Sequence, residues 1–136
     1  MQVEDLDALG RLYLEAYQVK WTAEGARAYL KKFFEIEPAS CLVILEPDGR
    51  ISGAILGYSF EKESGLVLFI QELFVAPTLR NKGYGKKLIE RLRESLAKHP
   101  ARVNVKPLVK ADTGVLNFYN SLGFERDKAV TFWLDE

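Results

Sequence analysis

The chain has 136 residues, 48% of them apolar and 12% aromatic. This sets the expectation of one domain over residues 1–136 with a single real core, and it excludes a disordered segment. Lys and Arg total 19, as do Asp and Glu, which disfavours a globally basic nucleic-acid surface; no run approaches the roughly 18 apolar residues of a membrane span, and no signal-peptide pattern opens the chain.

Leu6, Leu9, Leu12, Tyr13, Ala16 and Tyr17 fall on one helical face, with Glu4 or Asp5 placed as a cap. A second helix is expected after Thr22, turning Ala26, Tyr29, Leu30, Phe33 and Phe34 inward and stopping by Pro38. Ser40 to Glu46 reads as a strand. Cys41, beside Leu42-Val43-Ile44-Leu45, reads as a buried structural thiol; as the only cysteine it forms no internal disulfide, which is compatible with a reducing cytoplasm. Pro47-Asp48-Gly49 supplies a turn, Arg50 to Phe60 returns antiparallel, Glu61 to Gly65 turns again, and a long strand follows from Leu66 to Val75.

Downstream, Leu88, Leu92 and Leu96 recur every fourth residue with Ile89 beside them, the packed stripe of a central helix ended by His99-Pro100. The lone histidine thus reads as a surface residue at a helix end rather than a catalytic one. Ala101 to Val105 is a short strand continuing toward Val109. Asp112 to Leu122 is the last helix with Gly123 as its C-cap, and Val130 to Leu134 is read as a final strand. A meander, a βα crossover and a closing strand give a mixed α/β sheet with helices on both faces. No metal site is expected.

Between the long strand and the central helix lies the most informative stretch, Gln71 to Lys87. A hydrophobic strand meets a break at Pro77, then a basic loop with two glycines, then a helix start. Bare N–H groups and the positive end of a helix beside a strand end make a phosphate site. Gly83 and Gly85 allow close backbone approach, and Arg80, Lys82, Lys86 and Lys87 add charge. A nucleotide P-loop fails for lack of its first Gly and of Ser/Thr after Lys86; a dinucleotide fingerprint fails because Leu88 stands where its third Gly belongs.

Arg80-x-x-Gly83-x-Gly85, preceded by Leu73-Phe74-Val75-x-Pro77, resembles the acyl-CoA signature of the GNAT superfamily of N-acetyltransferases, and Phe118-Tyr119-Asn120-Ser121-Leu122-Gly123-Phe124 resembles the block that closes the CoA site in that family. The resemblance implies a mostly antiparallel central sheet whose middle strands splay apart. Members of that family open with a strand before the first helix, and this chain departs from them: Met1-Gln2-Val3 is too short for it, so the first strand is expected to be short or missing, a feature that could favour a homodimer through an exposed edge. It also implies acetyl-CoA as cosubstrate. The backbone of Leu73, Phe74 and Val75 would line the pantetheine, while Arg80, Asn81, Lys82, Gly83, Tyr84, Gly85 and Lys86 would surround the pyrophosphate. Asp112 stands where the family carries a CoA-contacting Asn, and is equally well explained as a helix N-cap.

The chemistry implied is direct acetyl transfer to a primary amine in a ternary complex. Tyr119 matches the tyrosine that protonates the departing thiolate, and Glu72 the carboxylate that serves, directly or through water, as base. The acceptor stays open among peptide N-termini, lysine side chains, aminoglycosides, polyamines and small amines; Tyr17 and Trp21 are candidates for its wall. The alternative is a non-catalytic acyl-CoA-binding regulatory module.

Overall fold

A computed structural model describes residues 1–97, 103–110 and 112–135. One 3-10 turn, Val3–Asp5, leads into α1, Leu6–Tyr17. Asp5 spends its carboxylate on the Gln2 N–H, 2.7 Å away, and so caps the turn rather than the helix. α2 runs Ala23–Ile36 and starts as its sequence dictates, with Thr22 Oγ1 accepting from Gly25 N–H at 2.9 Å. Pro38 opens the 3-10 turn that follows.

Three strands then form a meander: β1, Cys41–Leu45, β2, Ile51–Lys62, and β3, Gly65–Val75, each antiparallel to the one before. α3, Tyr84–Leu96, crosses over to β4, Val103–Pro107, which pairs parallel with β3 in the sheet order β1-β2-β3-β4. α4 spans Thr113–Ser121, capped by Asp112, whose Oδ1 accepts from Val115 N–H at 3.2 Å. The expected helix stop at His99-Pro100 and strand start at Ala101 lie outside the described residues; β4 ends at Pro107, although Leu108 N–H still reaches the Ile70 carbonyl at 2.9 Å.

The sheet separates two cores. On one face Leu6, Leu9, Leu12 and Leu30 of α1 and α2 pack with Cys41, Ala54, Leu56 and Phe74. On the other, Leu88, Ile89 and Leu92 of α3 pack with Ile55, Leu68 and Ile70, and α4 contributes Tyr119. Each large aliphatic side chain so buried contributes about 1.5–3 kcal/mol. Cys41 is a core residue, and burial pushes its thiol up to about 11, which keeps it protonated and inert.

The final strand expected at Val130–Leu134 is not formed. Among the described residues they pair with no strand, and Phe132 and Trp133 are 95% and 90% exposed. The preceding run Glu125-Arg126-Asp127-Lys128 is charged and meets β4 in an Asp127–Lys106 ion pair at 3.5 Å. In Val130-Thr131-Phe132-Trp133-Leu134 apolar residues fall on both sides of an extended chain, so no single face is specified to lie on the core.

Candidate active site

β3 and β4 pair only from Leu66 with Val103 to Ile70 with Pro107. From Gln71 onward β3 keeps β2 on one edge and, among the described residues, has no strand on the other, which is the expected opening between the middle strands. A β-bulge sits at that point: Leu56 pairs with Glu72 but Gly57 pairs with Ile70, leaving Gln71 as the extra residue. The insertion reverses side-chain alternation. Leu68 and Ile70 face α3 and α4, whereas Phe74, two residues beyond Glu72 in regular pairing, faces α1 and α2. Glu72 is thereby delivered to the α1–α2 side.

There its carboxylate accepts from two phenols, Tyr17 Oη at 2.9 Å and Tyr29 Oη at 2.7 Å. Tyr17 Oη also lies 3.1 Å from the Leu73 carbonyl, so one proton serves two acceptors. Gln71 Nε2 donates to Tyr29 Oη at 3.2 Å. Burial holds the Glu72 carboxyl above the ordinary carboxylate range; the two phenols and the Lys110 charge oppose that shift without cancelling it. Tyr17 and Tyr29 are both pushed up, first by burial and then by Glu72. Sequence reasoning offered Tyr17 as a wall and Tyr29 as core; their shared role as hydroxyl donors to Glu72 has no local signal, because the partners are 55 and 43 residues away.

Tyr119 enters from the opposite side of the sheet. It is 8% exposed, edge-on to Phe118 at 5.0 Å and to Phe124 at 5.5 Å. Burial, with the Glu72 charge second, raises its hydroxyl to about 12, so it keeps its proton at neutral pH.

The phosphate-type loop follows Val75. Asn81 and Gly83 take left-handed backbone angles, φ 64° and 81°, which curl the chain into α3. The Lys87 N–H to Gly83 carbonyl bond, 3.0 Å, closes the first turn of α3. The N–H groups of Tyr84, Gly85 and Lys86 precede it and have no partner four residues back within the helix. Gly85 serves a purpose beyond the loop: a Cβ there would lie 3.2 Å from Phe118 Cζ, so its bareness lets α3 approach α4. Lys82 extends into solvent, Lys86 leans toward Glu90 at 3.8 Å, and Lys87 lies over the Tyr84 ring at 5.8 Å. Arg80 reaches backward, its guanidinium donating to the Ala16 carbonyl in the last turn of α1. Asp112 commits its carboxylate to the α4 cap.

The arrangement sets a helix start whose first N–H groups lack intrahelical partners, a strand edge without a strand beside it among the described residues, a shielded carboxylate and a protonated phenol around the end of β3. The residues fit a ligand with a diphosphate at one end and amides along its length. A family model described as the acetyltransferase (GNAT) family matches residues 6–124. An uncharacterised N-acetyltransferase of Methanocaldococcus jannaschii is 29% identical over 143 residues, covering 96% of this chain; the chain spans 61% of that relative's length. Among solved structures, a protein of Pyrococcus horikoshii matches with a TM-score of 0.79 at 22% identity, over 98% of this chain and 88% of that one. An aminoglycoside N-acetyltransferase in complex with CoA matches with a TM-score of 0.76 at 17% identity, over 99% and 91%. At these identities the solved structures establish a shared fold.

Proposed function

Because the chain belongs to the acetyltransferase (GNAT) family, we propose that it is an acetyl-CoA-dependent N-acetyltransferase acting on a primary amine by direct transfer in a ternary complex. The observation that carries this reading is the opening itself: β3 loses its β4 partner at Ile70, and the freed segment leads straight into the α3 anion site. The backbone of Leu73, Phe74 and Val75 would pair with the pantetheine amides, and the N–H groups around Gly83 to Lys86 would hold the pyrophosphate, with Arg80, Asn81 and Lys82 on the same turn. Acetyl-CoA supplies an already activated acetyl thioester.

The protein's own part is to manage protons. A lysine-type amine is almost wholly protonated at neutral pH, with a pKa near 10.4. Glu72, shielded and raised, is suited to accept that proton, directly or through one water. Tyr119 holds the proton intended for the leaving thiolate. A phenol near 12 is a weak acid toward a thiolate whose thiol has a pKa of about 8.5. Glu72 corrects part of this mismatch: on taking the amine proton it becomes neutral and no longer raises Tyr119. Tyr119 therefore acts first as a hydrogen-bond donor to the developing thiolate and gains acidity as Glu72 is protonated.

The test is calorimetry with CoA followed by acetyl-CoA turnover against a mixed amine panel, read by mass. CoA should bind, one acetyl group should appear on an amine, and Tyr119→Phe should keep CoA affinity while lowering kcat by about 100-fold. No heat and no thermal protection at saturating CoA would overturn the reading. Binding without turnover of any amine would return the non-catalytic module.

A further inference from the structure

α1 and α2 meet β3 in an aromatic cluster open to solvent at one end. The Tyr13 ring lies 4.9 Å from Tyr17, 5.8 Å from Tyr29 and 5.7 Å from Phe74. Trp21, 49% exposed, stands over them at 6.4 Å from Tyr13 and 6.2 Å from Tyr29. Its place is built in. A Cβ on Gly25 would lie 2.5 Å from Trp21 Nε1, so the indole rests in a notch that only glycine leaves open on the first turn of α2. The floor of the cluster is the Glu72 carboxylate, gripped by Tyr17 and Tyr29.

Aromatic faces around a shielded carboxylate are the surroundings that hold an organic cation. The chain already places one there: Lys110 Nζ lies 5.6 Å from the Tyr17 ring centroid. A straight alkylammonium is thus accommodated at the rim. Other amines suit the cluster less. A peptide N-terminus brings amide groups that need donors, and the Tyr17 and Tyr29 protons are committed to Glu72. An aminoglycoside brings several ammonium groups at once, and Glu72 is the one carboxylate hydrogen-bonded to the cluster among the described residues.

We propose that this cluster is the acceptor subsite and that its substrate class is an unbranched primary alkylamine, seated as the ammonium among Trp21, Tyr13, Tyr17 and Tyr29 with its nitrogen toward Glu72. The proposal rests on the acetyltransferase reading above. Of the three ammonium protons, one passes to Glu72, which holds it through the transfer and then releases it to solvent. The freed lone pair forms the C–N bond to the acetyl carbon while the C–S bond breaks. A second proton ends on the CoA sulfur, by way of Tyr119, and the third stays on the amide nitrogen.

The experiment compares butylamine, 1,5-diaminopentane and Nα-acetyl-lysine amide with an alanine-initiated tetrapeptide and kanamycin. The alkylamines should exceed both other classes in kcat/KM by at least about 10-fold, and the diamine and lysine probes separate a free amine from a protein side chain as the source. Trp21→Ala should raise the alkylamine KM by about 10-fold with kcat within about 3-fold, and Trp21→Phe should recover most of the loss. Butyltrimethylammonium, which cannot be acetylated, should compete with the amine and stabilise the protein thermally without coenzyme, an effect lost in Trp21→Ala. Preference for the tetrapeptide or kanamycin, or a Trp21→Ala defect in kcat alone, overturns the proposal. If no amine is acetylated, the acetyltransferase reading fails, and the cation subsite is decided separately by whether butyltrimethylammonium protects the wild type and not Trp21→Ala.

Discussion

Glu72 is where opposing forces on a single side chain are most visible. Burial favours its neutral form, while two phenol donors and the Lys110 charge favour its ionised form, and burial prevails. A carboxyl raised in the fold binds more protons in the native state than in the unfolded one between its two pKa values. Its contribution to stability is therefore complete below the ordinary carboxylate pKa and is lost as pH rises through the raised value. Glu72→Gln removes that dependence. The melting temperature of the wild type relative to Glu72→Gln should fall as pH is taken from 4 to 7, in paired thermal melts. If Glu72 is the base, the acid limb of wild-type kcat/KM should have its midpoint above the ordinary carboxylate range, and Glu72→Gln should lose that limb together with about 100-fold in rate. The identity of Glu72 was legible because the strand carries one carboxylate at its cleft end. Its partners were not, since Tyr17 and Tyr29 show the same inward helical spacing as any core aromatic.

At the scale of elements, the bulge in β3 determines which way the site faces. Leu66 to Val75 reads as a nearly continuous apolar run, so alternation within it gives no sign that one residue is extra. Helix starts were far more legible, because Thr22 and Asp112 carry their caps in the residue type itself. Deleting Gln71 should make the pairing regular, with Gly57 opposite Ile70 and Leu56 opposite Glu72, and so leave Glu72 on the α1–α2 face while removing the Gln71 bond to Tyr29. The expected outcome is a variant that folds and keeps the Glu72-dependent acid limb, and Gln71→Ala, which keeps the extra residue, should melt close to wild type. Differential scanning calorimetry of the two variants and the pH profile of the deletion check this.

At the scale of the whole molecule, two cores back onto one four-stranded sheet, and the C-terminal segment belongs to neither. Helices α1 to α4 and strands β1 to β4 followed from periodicity and turn residues. The final strand did not, because a strand is specified by its neighbour and Val130 to Leu134 have none among the described residues. Phe132→Ser combined with Trp133→Ser should therefore leave the melting temperature within about 2 °C of wild type, since surface changes away from packed features stay near ±0.5 kcal/mol. A larger loss would place the segment on a partner surface in solution. The Arg80 contact with the Ala16 carbonyl carries a consequence of a different kind. It ties the turn ahead of α3 to the final turn of the helix that presents Tyr17. If coenzyme and amine bind as proposed, whatever stiffens that turn also steadies the helix beside the amine, and each ligand then tightens the binding of the other by the same factor.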